Sequence, residues 1–406
     1  MELIEDVFKA YYDARKGKRN STNQLRFEMN LEENLVELYH EIKERRYQVG
    51  RSICFMVDYP VKREVFAADF KDRIVHHLLF NYISPIYERI FIDDCYSCRK
   101  GKGNLYGIKR LEKHIRSCSL NYTQDCYILK LDLAGYFMNI NRQKLYDILV
   151  RILNKYKDFP MPNGIHWGDS DEFDLVMYLL PIVIMNDPVK NCYRKGSLSE
   201  WEGLPPNKSL FHSPEGSGIP IGNLTSQLFS NVYLNQFDQF VKRTLCMKHY
   251  GRYVDDFYLV HADKRFLLSL VPLIRDYLWN ELDITLHPKK IVLQSYQKGV
   301  VFLGAVVKPY RTYIHNRATR KFKNELYLWE KRLANTPDPP KSMLLQMRAS
   351  INSYLGIMRH FRTMNLKRRI LENRPFLYKY GYFNNRMEKF ILLKEHLIKK
   401  SYPFEP

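Results

Sequence analysis

The chain has 406 residues, 45% of them hydrophobic, and a formal net charge of +20. This length predicts more than one domain or subdomain, and the hydrophobic content excludes an intrinsically disordered chain. The excess of positive charge favours a polyanionic partner, with nucleic acid as the first hypothesis and an anionic membrane surface as the second.

Several sequence features indicate a cytoplasmic protein without a membrane partner. The first residues, MELIEDVFKAYYDARKGKRN, contain no basic segment followed by an apolar run, so they do not resemble a signal peptide. The sequence contains no run of about 18 apolar residues, so it predicts no transmembrane helix. The seven cysteines, an odd number, fit reduced thiols. Cys95 and Cys98 form an isolated CxxC, which we interpret as structural because no second metal-binding pair accompanies it.

The N-terminal part of the chain predicts basic helices. In LEENLVELYHEIKERRYQ, apolar residues recur at helical spacing, namely Leu31, Leu35, Leu38 and Ile42. After Pro60 the sequence predicts a short strand and then a long helix with Ile74, Leu78, Leu79 and Ile83 on one face. CRKGKGNLYGIKRLEKHIR follows, a basic loop and helix suited to binding a phosphate backbone.

The central part predicts strands around a long insertion. CYILKLDLAGYF predicts a strand that ends in an acid. Residues 155–216 are rich in Pro, Gly and Asn at both ends, and we interpret them as an insertion or extended loop region with one apolar helix. GIPIGNLTSQLFSNVYLNQFDQFVKRTL then predicts a turn and a helix, GRYVDDFYLVHA a hairpin, and ITLHPKKIVLQSYQKGVVFLGAVV two or three strands.

The C-terminal part predicts basic amphipathic helices from about residue 318. RKFKNELYLWEKRLAN and MLLQMRASINSYLGIMRHFRTMNLKRRIL are separated by the break TPDPPKS. We therefore divide the chain into a basic helical extension (1–60), a central part (61–317) that contains the insertion, and a basic helical part (318–406).

Three carboxylates indicate the chemistry. Asp255 and Asp256 lie at a tight turn between two apolar strands, and Asp132 ends another strand. Adjacent carboxylates repel each other unless a cation lies beside them. Acids on neighbouring strand ends suit Mg²⁺, and two such ions can activate a hydroxyl and stabilise a leaving oxygen. For the hairpin alone, a surface turn that happens to contain Asp-Asp is an equally good interpretation.

The other motifs decide this question by resemblance to a family. YVDD resembles the YxDD signature of reverse transcriptases, and LDLAGYF resembles their first carboxylate motif. GIPIGNLTSQLFSNVYLN resembles the motif between these two, LHPKKIVL the downstream lysine motif, VVFLGAVV the primer-grip hairpin, and KREVFAADFKDRIVHHLL the finger strand and helix. Because these motifs follow the family's order from about residue 60 to 305, the chain is identified as a member of the reverse transcriptases.

Further motifs narrow the resemblance. Many reverse transcriptases carry Gln at the position of Ile221, and Ser-Pro at the position of Ser226-Gln227. The stretches FAADF, VHHLL, CRKGKG, PPNKSLF, GNLTSQ and SYLG resemble the enzymes of diversity-generating retroelements, which are bacterial or phage-encoded. Retron and group II intron enzymes are the nearest alternatives.

This resemblance implies an α+β right-hand polymerase with fingers, an antiparallel-sheet palm and a helical thumb. It implies an RNA-directed DNA polymerase that uses two Mg²⁺ ions and copies a retroelement template RNA into cDNA with errors at adenines. The implied partners are template RNA, cDNA, the RNA–DNA duplex and a pentameric basic accessory variability protein. A catalytically inert RNA-binding protein on the same fold is a further alternative, which the presence of all three acids argues against.

The resemblance also implies roles for individual residues. The expected metal ligands and catalytic acids are Asp132, Asp255 and Asp256, with the Leu133 carbonyl as a further ligand. The expected nucleotide-binding residues are Lys62, Arg63, Phe137, Ile221, Gly222 and Lys290. The expected template–primer contacts are Arg99, Lys100, Ser226, Gln227, Phe302, Leu303 and Gly304.

Four of these expectations have a stated chemistry. Phe137 is expected to exclude a 2′-hydroxyl, and Lys290 is expected to protonate or neutralise the departing pyrophosphate. Gly222 is expected to let the backbone approach the nucleotide closely. Ile221 cannot donate the hydrogen bond that Gln can, so it is expected to lower fidelity. Simple packing is the alternative role for Ile221.

Overall fold

The computed structural model describes residues 2–16, 21–58, 61–160 and 164–396. The chain forms two compact units. Unit 1 comprises Met1–Gly107 and Leu129–Leu293, and unit 2 comprises Ile108–Ile128 and Gln294–Pro406. The boundaries that we expect at residues 60 and 317 are boundaries between polymerase subdomains, which is a different division of the chain. These boundaries stay a prediction.

The described residues form α-helices and short strands. The α-helices are α1 (Leu3–Arg15), α2 (Thr22–Glu28), α3 (Leu31–Lys43), α4 (Phe70–Ile90), α5 (Asn104–Cys118), α6 (Tyr136–Asn139), α7 (Arg142–Lys155), α8 (Asp171–Met185), α9 (Leu224–Tyr233), α10 (Asn235–Gln239), α11 (Lys264–Leu282), α12 (Asn316–Ala334), α13 (Lys341–Met358), α14 (Met364–Leu371) and α15 (Pro375–Tyr380). The strands are β1 (Ser52–Val57), β2 (Arg63–Ala67), β3 (Tyr127–Asp132), β4 (Cys192–Arg194), β5 (His249–Tyr253), β6 (Asp256–His261), β7 (Val292–Ser295), β8 (Val300–Phe302), β9 (Ala305–Lys308), β10 (Arg311–Ile314), β11 (Gly381–Phe383) and β12 (Phe390–Leu392). This mixture of helices and largely antiparallel strands confirms the predicted α+β class. Within the described ranges, no helix is both long enough and apolar enough to cross a bilayer.

One sheet, with the strand order β5-β6-β3-β7, positions the acidic residues. β5 and β6 form an antiparallel hairpin in which Tyr253 lies opposite Asp256. β6 is also hydrogen-bonded to β3, which ends at Asp132. The segment after α11 attaches to the same strand end, because the His287 N–H donates to the Asp132 carbonyl at 2.8 Å. Parts of the chain that are distant in sequence therefore meet at this end of the sheet.

The long helix α4 packs against α1, α8 and α9 in unit 1. It begins at an Asp69 cap, whose side chain accepts a hydrogen bond from the Lys71 N–H at 3.0 Å. Its interior face includes four buried residues, Ile74, Leu78, Leu79 and Ile83. Burial of each such side chain contributes about 1.5–3 kcal/mol. The predicted apolar face of this helix is confirmed.

The segment 155–216 contributes a helix and a strand to unit 1. α8 packs against α7 and α4, and β4 pairs in parallel with β1. The Glu64 carboxylate on β2 is 1% exposed. It accepts hydrogen bonds from Trp201 Nε1 at 2.8 Å, from Ser209 Oγ at 3.0 Å and from Leu210 N at 2.7 Å. These bonds compensate a buried charge and join the end of this segment to β2.

Unit 2 has a helical core beside two small sheets. β8, β9 and β10 form one antiparallel sheet, and β11 and β12 form a hairpin. The core includes one face of α12 and one face of α13, with the buried residues Phe322, Leu326, Trp329, Leu333, Leu344, Met347, Ile351, Leu355 and Met358. The first predicted amphipathic helix corresponds to α12, whereas the second predicted segment is divided into α13 and α14 by a break at residues 359–363.

Candidate active site

The turn between β5 and β6 carries the paired acids. Because Tyr253 pairs with Asp256, Val254 and Asp255 form a two-residue turn. Val254 has a φ of 55°, an unusual conformation for a β-branched residue. Such a conformation costs on the order of 1–3 kcal/mol and persists only where surrounding contacts impose it.

Both backbone polar groups of Val254 are held by side chains. The Val254 N–H donates to Ser97 Oγ at 3.2 Å, and its carbonyl accepts from Arg252 Nη1 at 3.0 Å. The segment that contains Ser97 runs beside β5, since the Arg252 N–H donates to the Asp94 carbonyl at 2.9 Å and the Tyr96 N–H donates to the Arg252 carbonyl at 3.0 Å. The turn is therefore fixed before any substrate binds.

A buried ion pair lies beneath the turn. Both side chains of the Arg252–Asp238 pair have 0% exposure, and two bonds of 2.7 Å and 2.6 Å join them. Asp238 also accepts from the Tyr250 hydroxyl at 2.6 Å, and Arg252 also donates to Cys95 Sγ at 3.4 Å. Sequence reasoning missed this pair, although a charged residue between strand residues in GRYVDD was a usable signal. Cys95 of the CxxC belongs to this buried network, and Cys98 is exposed.

The three acids share one electrostatic environment. Burial, and then the charge of Asp132, raise the pKa of Asp255 to about 6. Burial also raises the pKa of Asp256 to about 6, although Lys130 lies 3.0 Å from its Oδ2 and opposes the shift. Asp132 Oδ2 accepts a short hydrogen bond from the Lys290 ammonium. Two lysines therefore supply counter-charge to this acidic cluster.

The donor chemistry of the cluster fits a divalent cation. Asp256 Oδ1 is buried and has no hydrogen-bond partner among the described residues. Carboxylates that repel one another, with one oxygen left without a donor, are the hard ligands that Mg²⁺ prefers. In the arrangement of the described ranges, no group of three or more His, Cys, Asp or Glu is gathered closely enough to hold a metal. The predicted metal ligands, including the buried Leu133, therefore stay a prediction.

The predicted triphosphate-binding cations lie in different surroundings. Arg63 is the first residue of β2 and is exposed, and its charge lowers the pKa of Asp255 against the raising effect of burial. Lys62 donates to the Glu202 carbonyl at 2.7 Å. Lys290 contacts Asp132. Arg63 and Lys290 are thus close enough to influence the acids, and Lys62 is bonded to the segment 155–216.

Phe137, Ile221 and Gly222 pack beside β2. Phe137 and Ile221 are half-buried against the same apolar cluster, which includes Phe66. The Phe66 N–H donates to the Ile221 carbonyl at 2.9 Å. Gly222 has a φ of 132°, and a Cβ there would lie 2.7 Å from the Phe66 carbonyl oxygen. The close approach that excludes a side chain at this glycine is therefore an approach to β2. The expected approach of the Gly222 backbone to the nucleotide stays a prediction. Ile221 makes apolar packing contacts, as its alternative role of simple packing requires.

The predicted template–primer residues before β3 differ in exposure. Arg99 is turned inward with 6% exposure of its side chain, and it pairs with Glu88 at 2.8 Å. It also donates to the Ile92 carbonyl at 2.7 Å and to the Cys95 carbonyl at 3.1 Å. These contacts hold the loop together, and the predicted nucleic-acid contact of Arg99 stays a prediction. The neighbouring Lys100 is exposed.

The remaining predicted template–primer residues lie on α9 and on the β8–β9 hairpin. Ser226 is 4% exposed, whereas Gln227 is exposed. Leu303 and Gly304 form the hairpin turn with φ values of 48° and 81°, the left-handed pair typical of a tight two-residue turn. Phe302 is 1% exposed. Its ring therefore packs inside unit 2, and the turn residues are the accessible part of this predicted primer grip.

Comparison with known proteins adds a family match. A family model described as "Reverse transcriptase (RNA-dependent DNA polymerase)" matches residues 63–307, which is more than half of the chain. The matched range contains all three acids, Arg63 and Lys290. No curated protein sequence matches the chain.

Similar solved structures include two fungal telomerases. One is telomerase from Candida albicans in complex with a TWJ fragment of telomeric RNA, with 11% identity, a TM-score of 0.44 and coverage of 83% of this chain and 58% of that chain. The other is telomerase from Candida tropicalis in complex with a TWJ fragment of telomeric RNA, with 10% identity, a TM-score of 0.45 and coverage of 82% and 57%. The chain therefore spans less than two thirds of these telomerase chains.

Proposed function

This chain belongs to the reverse transcriptase family, and we propose that it is an RNA-directed DNA polymerase, a nucleotidyltransferase that extends a primer on an RNA template. One observation carries this proposal. Asp255 lies on a turn whose backbone is fixed by buried hydrogen bonds, Asp256 follows it on β6, and the neighbouring strand β3 ends at Asp132, whose charge raises the pKa of Asp255. Catalysis of phosphoryl transfer depends on precise positioning of the reacting groups, and rigidly placed carboxylates meet this requirement.

The acids are proposed to hold two Mg²⁺ ions. Bound there, Mg²⁺ supplies a lower pKa for the primer 3′-hydroxyl and stabilisation of charge on the leaving oxygen. Asp132 and Asp255 are the proposed principal ligands, and Asp256 the supporting acid. The buried Asp256 Oδ1 supports this assignment because it accepts no hydrogen bond from the described residues. The Leu133 carbonyl is a further proposed ligand.

The cations near the acids are proposed to bind the incoming triphosphate. Arg63 is exposed at the start of β2, where its planar guanidinium can donate two parallel hydrogen bonds to phosphate oxygens. Lys290 contacts Asp132 and supplies counter-charge there. Transfer of this ammonium to the departing pyrophosphate would neutralise it or donate a proton to it. Phe137 is proposed to exclude the 2′-hydroxyl beneath the sugar.

The subtype is proposed to be that of a diversity-generating retroelement, bacterial or phage-encoded and cytoplasmic. Such an enzyme copies its template RNA with errors at adenines, for mutagenic retrohoming, together with a pentameric basic accessory protein. Ile221 supports reduced fidelity because its side chain cannot hydrogen-bond a nucleotide. Its packing against the cluster near Phe66 equally fits a faithful retron-type or intron-type enzyme. Sequencing of the cDNA distinguishes these, since uniformly rare errors would contradict the proposed subtype.

Primer extension on a primed RNA with deoxynucleotides and Mg²⁺ tests the proposed activity. We expect cDNA from the wild-type protein and from Asp276→Asn, which removes an exposed acid on α11. We expect none from Asp255→Asn, because the amide cannot supply the negative charge that the site requires. Equal extension by all three proteins would contradict the assignment of the acids. No extension by the wild-type protein, with or without the accessory protein, would favour the inert RNA-binding alternative.

A further inference from the structure

Unit 2 contains an open basic groove that none of the motifs accounts for. Its volume is about 470 Å³, within the usual range of about 300–1,000 Å³ for ligand sites. Its lining includes five cations and one acid, namely Arg311, Arg359, Arg362, Lys367, Arg386 and Glu388. This ratio is far above the balance of charges on an ordinary surface, so the groove has a strong positive potential.

Several of these cations have no anionic partner among the described residues. In the described part of the chain, the guanidinium groups of Arg362 and Arg386 make no hydrogen bond or ion pair, and both residues are exposed. Arg311 donates only to the Arg362 carbonyl, at 3.2 Å. Like charges gathered without partners repel one another, which destabilises the protein unless a ligand brings negative charge.

Lys367 is the strongest indication of a built site. It is 4% exposed, and its ammonium donates to the Arg386 carbonyl at 2.6 Å. An ammonium has three donors, and no carboxylate of the described residues lies within 4.0 Å of this one to form an ion pair. The charge of Glu388, which also lines the groove, acts on Lys367 without forming an ion pair with it. A buried cation without a directly paired anion is costly, so the position of Lys367 beside the groove indicates a site for an anionic ligand.

The groove also has an apolar floor and a helix N-terminus. Phe361 and Met364 line it and are half-buried. Met364 begins α14, and the preceding Thr363 does not cap this helix, because its hydroxyl donates to the Met358 carbonyl at 2.8 Å. The first N–H groups of α14 are therefore available to an anion. In a single strand each base is flanked by two phosphates. An aromatic ring flanked by cations can therefore stack on the base while the cations contact the phosphates.

We propose that this groove binds an unpaired nucleotide of a single-stranded polynucleotide, with the base on Phe361 and the flanking phosphates on Arg362, Arg386 and the start of α14. A duplex fits less well, because its bases are stacked inside and cannot reach the apolar floor. The groove lies wholly within unit 2, whereas the acids belong to unit 1.

The first test removes the two unpartnered guanidinium groups. Fluorescence anisotropy of the full chain, without deoxynucleotides, measures affinity for short single-stranded RNA, single-stranded DNA and duplex probes. We expect Arg362→Gln/Arg386→Gln to weaken single-strand binding by at least about tenfold, the scale of one lost charge-assisted hydrogen bond. The salt slope should fall by about 0.7 for each lost phosphate contact. The RNA and DNA probes show which strand the groove prefers.

A matched control keeps the charge change equal. Arg368→Gln/Arg369→Gln removes two exposed charges of α14 that do not line the groove. An equal loss with both double variants would overturn the proposal, as would duplex binding as tight as single-strand binding in the wild-type protein. Because the assay contains no deoxynucleotides, its result is independent of whether the protein proves to be a polymerase.

The second test concerns the base. We expect Phe361→Ala to weaken binding of an intact single strand by about fivefold to a hundredfold, the range for one stacked base. A strand of abasic sugar-phosphate units should bind the variant and the wild-type protein equally. Equal weakening of both probes, in a variant whose circular dichroism matches that of the wild-type protein, would contradict stacking on Phe361.

Discussion

The acidic turn of unit 1 and the basic groove of unit 2 differ in sign of charge and in how far the protein compensates that charge. At the turn, the protein supplies partners for its own charges, with Lys130 beside Asp256 and Lys290 beside Asp132. In the groove, Arg362 and Arg386 lack such partners among the described residues and face solvent. The comparison indicates a turn that is fixed for chemistry and a groove that is open for binding.

The two regions also differ in backbone strain and burial. The turn holds Val254 at a φ of 55° above an ion pair with 0% exposure, so its geometry depends on a buried network. The arginines of the groove, by contrast, are exposed. Mutations should therefore change stability at the turn and ligand affinity at the groove.

The largest expected effect on stability comes from breaking the buried pair. Arg252→Met leaves the Asp238 carboxylate buried without its cation, and we expect a loss of about 3–5 kcal/mol in the free energy of unfolding. Urea unfolding followed by circular dichroism measures this loss. Arg275→Met, which removes an exposed charge on α11, is the control and should unfold like the wild-type protein.

A double variant separates stability from positioning. Arg252→Met/Asp238→Leu removes both charges, so we expect part of the lost stability to return. Primer extension should stay impaired, because the Val254 carbonyl still lacks its Arg252 donor. If the double variant regained full activity, the proposed support of the turn by Arg252 would be wrong.

A smaller effect is expected in the pH dependence of stability without divalent cations. The pKa of Asp255 is about 6 in the folded protein and 3.8 as the ordinary value, so the folded state binds more protons between these values. Its contribution is fully present below about pH 4 and is lost as the pH rises through about 6. In a chelating buffer, we expect Asp255→Asn to show a shallower decline of stability than the wild-type protein. Superimposable pH profiles would argue against the shifted pKa.

The smallest effect on stability is expected in the groove. Arg362→Gln/Arg386→Gln changes exposed side chains that have no partners in the described part of the chain, so the free energy of unfolding should change by no more than about 0.5 kcal/mol. Thermal unfolding beside the wild-type protein measures this change. A large loss would show that these residues support the fold and would weaken the contrast with the turn.

The sequence alone predicted the features that follow local patterns. The faces of α4, α12 and α13 follow from apolar spacing, and the YVDD turn follows from a short motif. The inward position of Arg99 and the hydrogen bond between Glu64 and Trp201 were not predictable in this way. Their partners are carbonyls or are distant in the chain, and periodicity carries no information about either.

The groove was also beyond sequence reasoning. MLLQMRASINSYLGIMRHFRTMNLKRRIL predicted basic helices, but not which cations would be paired. Only the folded arrangement shows Arg386, from the β11–β12 connection, beside Lys367 of α14. Residues that converge from separate elements leave no spacing pattern in the sequence.

Single-turnover nucleotide addition on a primed RNA, measured as a function of RNA concentration, tests the central contrast most directly. Ser97→Ala removes the acceptor of the Val254 N–H, and we expect it to lower the rate at saturating RNA while leaving the RNA affinity unchanged. Arg362→Gln/Arg386→Gln should weaken RNA affinity and leave the saturating rate unchanged. If both variants changed the same parameter, or if the wild-type protein added no nucleotide, the account of a fixed catalytic turn and an open binding groove would be contradicted.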